Sequence, residues 1–157
     1  MKKIAVLTSG GDTPVMNAAI YSVVRMAKSK GMDVMGVIRG YSGLIHGDLT
    51  ELLPEQVEYI SNQGGTILKS ARCLEMLTDE GKEKAVQTLK DFGIEGLIVI
   101  GGDGSFKGAR ALTHMGVPAI GLPGTIDNDI AYTDYTLGFD TAINTAAQEI
   151  AKIRTTM

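Results

Sequence analysis

Short apolar runs that end on glycine alternate along this chain with longer stretches whose apolar residues recur every three or four positions. Lys3 to Thr8 reads as a strand. Met16, Ala19, Ile20, Val23 and Ala27 then fall at helical spacing, with Thr13 as the expected N-cap, Pro14 at the first helical position and Gly31 as the stop. Asp33 to Arg39 reads as a second strand, and Gly36, Gly40 and Gly43 punctuate a loop there. Pro54 to Ile60 fits a short helix, Gly64-Gly65 a turn and Thr66 to Lys69 a short strand. Thr78 is placed to cap the next helix, whose buried face is Ala85, Val86, Leu89 and Phe92 and whose end is Gly93. Leu97-Ile98-Val99-Ile100 has the unbroken apolar character of a strand buried on both faces. A helix over 103–114, a strand over Pro118 to Leu122 and a last helix from about Asp140 complete the series. On that last helix Phe139, Ile143, Ala146, Ala147, Ile150 and Ile153 share one stripe.

This alternation predicts an α/β fold, a mostly parallel sheet with helices on both faces in a Rossmann-like three-layer sandwich. Ligands of such sheets bind at the carboxyl ends of the strands. Three loops fall at that edge: Gly10-Gly11-Asp12, Gly101-Gly102-Asp103-Gly104 and Gly124-Thr125-Ile126-Asp127-Asn128-Asp129.

Composition narrows the class. The chain has 157 residues, 44% hydrophobic and 21% charged, which suits one domain with its own core. A net charge of −3 with scattered Lys and Arg gives no reason to expect nucleic acid. No apolar run is as long as a membrane span, so no membrane partner is expected. The lone Cys73 has no internal disulfide partner, and a cytoplasmic location is the expectation. His46 and His114 lie outside the glycine loops as surface groups, Cys73 reads as a small packed side chain, and the methionines read as core filler.

Backbone amides bared by glycine bind phosphate oxygens, whereas carboxylates beside them repel phosphate unless a divalent cation or a proton transfer is involved. Glycine loops carrying acids therefore suit phosphoryl transfer from a Mg²⁺-nucleotide. Such transfer also calls for a cation, and Arg72 and Lys69 are the candidates. Taken singly, the turn at Gly101 to Gly104 reads better as an ordinary βα turn capped by Asp103 than as a ligand site. There is no G-x-x-x-x-G-K-[ST] sequence, and the G-x-G-x-x-G fingerprint fails because Lys107 stands third and Gly108 comes one residue late. A P-loop is thereby excluded and a dinucleotide-binding dehydrogenase is disfavoured.

The chain resembles the bacterial-type ATP-dependent 6-phosphofructokinases along its whole length. The resemblance rests on Leu7-Thr8-Ser9-Gly10-Gly11-Asp12, Asn17-Ala18-Ala19-Ile20, Gly64-Gly65-Thr66, Ala71-Arg72-Cys73, Gly101-Gly102-Asp103-Gly104-Ser105, Pro123-Gly124-Thr125-Ile126-Asp127-Asn128-Asp129 and Gly138-Phe139-Asp140-Thr141-Ala142. It implies ATP-dependent phosphorylation of fructose 6-phosphate, a glycolytic step. Gly11, Arg72, Cys73, Gly102, Asp103, Gly104, Ser105 and Gly108 would then bind ATP, and Asp103 would hold Mg²⁺. Asp127 would be the general base, with Arg72, Thr125 and Asp129 as further catalytic residues and Thr125, Ile126 and Asp127 against the sugar phosphate. Glycine at 104 and 124 goes with ATP rather than pyrophosphate as donor. The family's allosteric effector site would fall on Tyr21, Arg25 and Arg154, with Tyr21 where the family carries a second arginine and Val15 where it usually has glycine.

The resemblance also implies that residues 1–157 are the ATP-binding N-terminal domain. The family's second domain, which supplies most of the sugar-phosphate site, is expected to be absent from this chain, and the full-length form to be a homo-oligomer, a homotetramer. On its own the segment is expected to have feeble activity or none. The alternative is a non-catalytic nucleotide-binding module.

Overall fold

Strand β1 (Lys3–Thr8) is the middle of a five-stranded sheet ordered β3-β2-β1-β4-β5. The computed structural model describes residues 1–156; Met157, the last residue of the expected domain, lies outside the described residues. β2 (Asp33–Val37), β4 (Gly96–Gly101) and β5 (Ala119–Pro123) run parallel to β1, and only β3 (Leu49–Glu51) is antiparallel. Helices α1 (Met16–Ser29), α2 (Gly40–His46), α3 (Pro54–Val57), α4 (Asp79–Asp91), α5 (Asp103–His114) and α6 (Phe139–Arg154) occupy the connections. The α/β sandwich expected from the alternation is the observed fold.

The period-two pattern of the strands feeds two cores. Leu7 and Val99 pack with Leu44, Leu89 and Leu112 beneath α2, α4 and α5. Val6 and Ile100 point the other way, onto Ile20, Val24, Val57 and Leu68. Each such fully buried aliphatic side chain contributes roughly 1.5–3 kcal/mol of transfer free energy. Thr78 caps α4 as its position predicts, its hydroxyl accepting from the Gly81 amide at 3.0 Å.

Several local expectations are corrected. Thr13 does not cap α1: the helix starts at Met16 after Val15 with no side-chain cap. Thr13 is instead packed against Gly138, where a Cβ would lie 2.6 Å from its side chain, and its hydroxyl has no partner among the described residues. β2 ends at Val37 rather than Arg39, because Arg39 and Gly40 both take positive φ and turn the chain into α2, a helix the glycine spacing concealed. Thr66 to Lys69 is a turn and not a strand: Asn17 and Thr66 side chains hold its amides, and Lys69 has φ of 59°. Phe92 follows the end of α4 and is partly exposed rather than part of its buried face. Met26 and Met115 are exposed, so not every methionine fills the core.

One side of the sheet is left unfinished. α6 buries none of its residues, and its stripe stays open at Ile143, Ile150 and Ile153. An apolar groove of about 550 Å³ runs between α1 and the β4–β5 side of the sheet, and Ile120 on β5 is 64% exposed. Among the described residues no helix is long and apolar enough to cross a membrane.

Candidate functional site

The carboxyl ends of β1, β4 and β5 converge through backbone hydrogen bonds. The Ser9 amide donates to Ile100 O at 3.0 Å, and the Gly124 amide donates to Gly101 O at 3.0 Å. Gly101 has to be glycine here, since a Cβ would collide with the Ser9 carbonyl and the Ser105 side chain. A cavity of about 1110 Å³ opens in front of these three ends.

The three predicted loops meet at this cavity. Its walls include Gly11 and Asp12 after β1, Gly102, Gly104, Ser105 and Gly108 around the start of α5, and Thr125, Ile126 and Asp127 after β5. Ser70 to Leu74, which precede the short 3-10 turn Glu75–Leu77, bring Arg72 and Cys73 to the same cavity. Arg72 is exposed and forms no ion pair among the described residues, so its charge is available to a ligand. Lys69, the other candidate cation, does not line the cavity; its carbonyl accepts from the Thr8 hydroxyl at 2.8 Å.

Gly11 and Gly104 differ from Gly101 in what they do. Neither has positive φ, and a Cβ built on either meets nothing within 4 Å. The fold does not require glycine at these places, yet both face the cavity. Their effect is to bare backbone to whatever enters.

Asp103 is the first residue of α5, between Gly102 and Gly104. It does not act as a cap: Gly102 holds that position without a side-chain hydrogen bond. Its carboxylate instead pairs with Lys107 Nζ at 2.7 Å, which holds the lysine ammonium above its ordinary pKa through that hydrogen bond and the charge of Asp103. Among the described residues no cluster of three or more acidic, histidine or cysteine side chains forms a metal cage. A single carboxylate at a glycine-bordered helix start still fits Mg²⁺, which keeps several waters and is bound by one or two carboxylates plus substrate phosphates.

Asp127 is held by a folded loop. Its amide donates to Thr125 Oγ1 at 3.2 Å, and Thr136 Oγ1 donates to the Thr125 carbonyl at 2.6 Å. Asn128, with φ of 51°, accepts from the Thr136 amide at 2.9 Å and donates to Asp134 O at 3.2 Å. The parallel bridge between Gly124 and Leu137 closes the base of this loop. Asp129 is exposed and lies outside the cavity wall.

The three effector candidates are elsewhere. Arg25 stacks over the Tyr21 ring at 5.8 Å on α1, and Arg154 is in the exposed last turn of α6. Sequence reasoning missed Tyr41, Lys82 and Lys107, all of which line the cavity. The four-residue spacing from Asp103 was the available signal for Lys107. Nothing in the pattern signalled Tyr41, which arrives on the unpredicted α2.

The phosphofructokinase family model matches residues 3–157. The chain is 61% identical over 156 residues to ATP-dependent 6-phosphofructokinase 1 of Clostridium perfringens and 60% identical over 156 residues to an ATP-dependent 6-phosphofructokinase of Clostridium botulinum. Each match covers 99% of this chain and 49% of the relative, so the chain spans about half the length of the curated relatives it matches. A solved phosphofructokinase from Saccharomyces cerevisiae superimposes with a TM-score of 0.95 at 36% identity, over 99% of this chain and 24% of that one. A pyrophosphate-dependent phosphofructokinase from Marinobacter aquaeolei shares the fold at a TM-score of 0.78 and 24% identity, over 88% of this chain and 37% of that one.

Proposed function

The chain belongs to the phosphofructokinase family, and on that premise we propose that it is the ATP-binding N-terminal portion of a 6-phosphofructokinase. The observation that carries this reading is the pair Gly11 and Gly104, glycines that packing does not demand, facing one cavity with Arg72 and Asp127. In this reading the amides around Gly11 and at the start of α5 receive the nucleotide phosphates, aided by the positive end of that helix. A side chain at 104 would project into the space those phosphates need, which favours ATP over pyrophosphate as donor.

Asp103 would hold Mg²⁺, whose contribution when bound is to neutralise phosphate charge. Asp127 takes the proton of the attacking sugar hydroxyl, Thr125 fixes the loop that presents it, and Arg72 supports the negative charge of the transferring phosphoryl. Asp129, exposed and outside the cavity wall, would act on the reaction only through the loop it shares with Asp127. Ile126 and Thr125 border the acceptor.

The remaining half of the relatives' length would supply most of the fructose 6-phosphate clamp, so the isolated chain is proposed to bind nucleotide with feeble turnover or none. The full-length form would be a cytoplasmic homo-oligomer, with effector control weakened by Tyr21. Calorimetry with Mg-ATP beside a coupled fructose 6-phosphate assay tests the reading: binding without turnover is expected. Failure to bind ATP overturns it, and rapid turnover by the chain alone overturns the division of labour.

A further inference from the structure

Two lysines line the cavity, and they are held differently. Lys82 is tied to Asp79 in the first turn of α4, whereas the Lys107 ammonium sits 2.7 Å from Asp103, the carboxylate at the start of α5. We propose that Lys107 is a further ligand for the nucleotide's polyphosphate, kept on Asp103 until a divalent cation takes that carboxylate. The proposal rests on the nucleotide reading above.

The geometry leads there in three steps. Asp103 and Lys107 are four residues apart on one helix face, and their side chains are 65% and 77% exposed. An ion pair so exposed is held weakly and exchanges readily. A divalent cation on that oxygen competes with the singly charged ammonium for the same acceptor and, carrying twice the charge, displaces it. The lysine stem is nevertheless anchored on α5 between Phe106 and Gly108, within the cavity wall. The displaced ammonium therefore remains beside the polyphosphate, whose oxygens are the acceptors now offered to it. Lys107 also offsets Asp103 when no metal is present, which lets a metal-free nucleotide approach an otherwise repelling carboxylate.

The test uses the 157-residue chain and its Lys107→Met and Lys107→Arg variants, with methionine chosen because it is a good helix former at an exposed helix position. ADP affinity is measured by calorimetry in chelator and in Mg²⁺, and Mn²⁺ binding to the nucleotide-free chain by electron paramagnetic resonance. With Lys107→Met, ADP binding in Mg²⁺ should weaken about tenfold, the scale of one charge-assisted hydrogen bond. Metal-free ADP binding should weaken as well, because Asp103 then faces the nucleotide without its counter-charge. Mn²⁺ binding without nucleotide should tighten, since its competitor is gone, and Lys107→Arg should restore ADP binding in Mg²⁺. Unchanged ADP affinity or unchanged Mn²⁺ affinity in Lys107→Met overturns the proposal and leaves the nucleotide reading standing. Absence of ADP binding by the unsubstituted chain overturns both.

Discussion

The Tyr41 hydroxyl donates to the Ser105 carbonyl at 2.6 Å, joining α2 to the first turn of α5 across the floor of the cavity. Burial pushes this phenol well above its ordinary pKa, outweighing a nearby backbone hydrogen bond from Ala109 that lowers it. The unfolded chain loses the Tyr41 proton above about pH 10, while the folded chain keeps it. Above that pH the unfolded state therefore binds fewer protons, and stability falls as pH rises, by up to about 1.4 kcal/mol per unit for this group. Urea denaturation at pH 9 and pH 11 should show that loss, and Tyr41→Phe should flatten it while costing about 1 kcal/mol at neutral pH.

Gly108 packs against the hydroxyl end of the same ring. A Cβ there would fall 2.7 Å from Tyr41, and neither the helix backbone nor the buried ring has room to yield freely. Gly108→Ala is expected to lower stability by about 1–3 kcal/mol despite alanine's better helix propensity. Because the strain falls on α5, ATP binding should weaken too. Thermal melts and calorimetry on the variant check both effects.

Asn17 ties the loop that follows α3 to α1. Its amide nitrogen donates to Gln63 O at 3.1 Å and Gly64 O at 3.3 Å, and its oxygen accepts from the Ile67 amide at 2.8 Å. Asn17→Ala leaves those backbone groups without a partner at a site only 2% exposed, and a loss of about 2–4 kcal/mol is expected in chemical denaturation. Asn17→Asp, which keeps the shape but has no donors for the two carbonyls, should not rescue it.

Asp127→Ser addresses the chemistry in a protein carrying both halves of the family's length. Turnover should fall by about 10²–10⁴-fold, the range for a general base, with ATP affinity nearly unchanged. Steady-state kinetics beside ATP calorimetry separates the two. Unchanged turnover would remove Asp127 from the role of base.

The legible parts of the fold were those with a strong period. β1, β4, α4 and α5 carry enough apolar residues at fixed spacing that tertiary context had nothing to override. α2 was hidden because Gly40 and Gly43 read as breakers, although Gly43 is there to let the helix lie against the Ile38 carbonyl. β3 is only three residues long and mostly exposed, too short to show alternation. Thr66 to Lys69 looked like a strand because nothing local reveals that Asn17, fifty residues away, holds the Ile67 amide.

At the cavity, the glycine loops with Asp12 and Asp127 were legible because each is a contiguous run at a strand end, whereas Asp103 and Asp129 do not line its wall. Arg72 was found the same way, as part of a contiguous motif. Tyr41 and Lys82 were not, since each belongs to a separate element that reaches the cavity only through the fold. The unpartnered Thr13 hydroxyl has the same origin, in a contact with Gly138 that only the folded chain creates.

The unfinished side of the sheet separates two directions of change. The ligand-facing loops leave the strands along their axes, at the carboxyl ends of β1, β4 and β5. The free edge of β5 runs along those axes, and over most of its length its outer amides and carbonyls have no strand beside them among the described residues. Further strands can be added there, and the apolar groove covered, without shifting Gly11, Gly104 or Asp127. Growth of the polypeptide and tuning of its chemistry can proceed independently, because they act on perpendicular margins of one sheet.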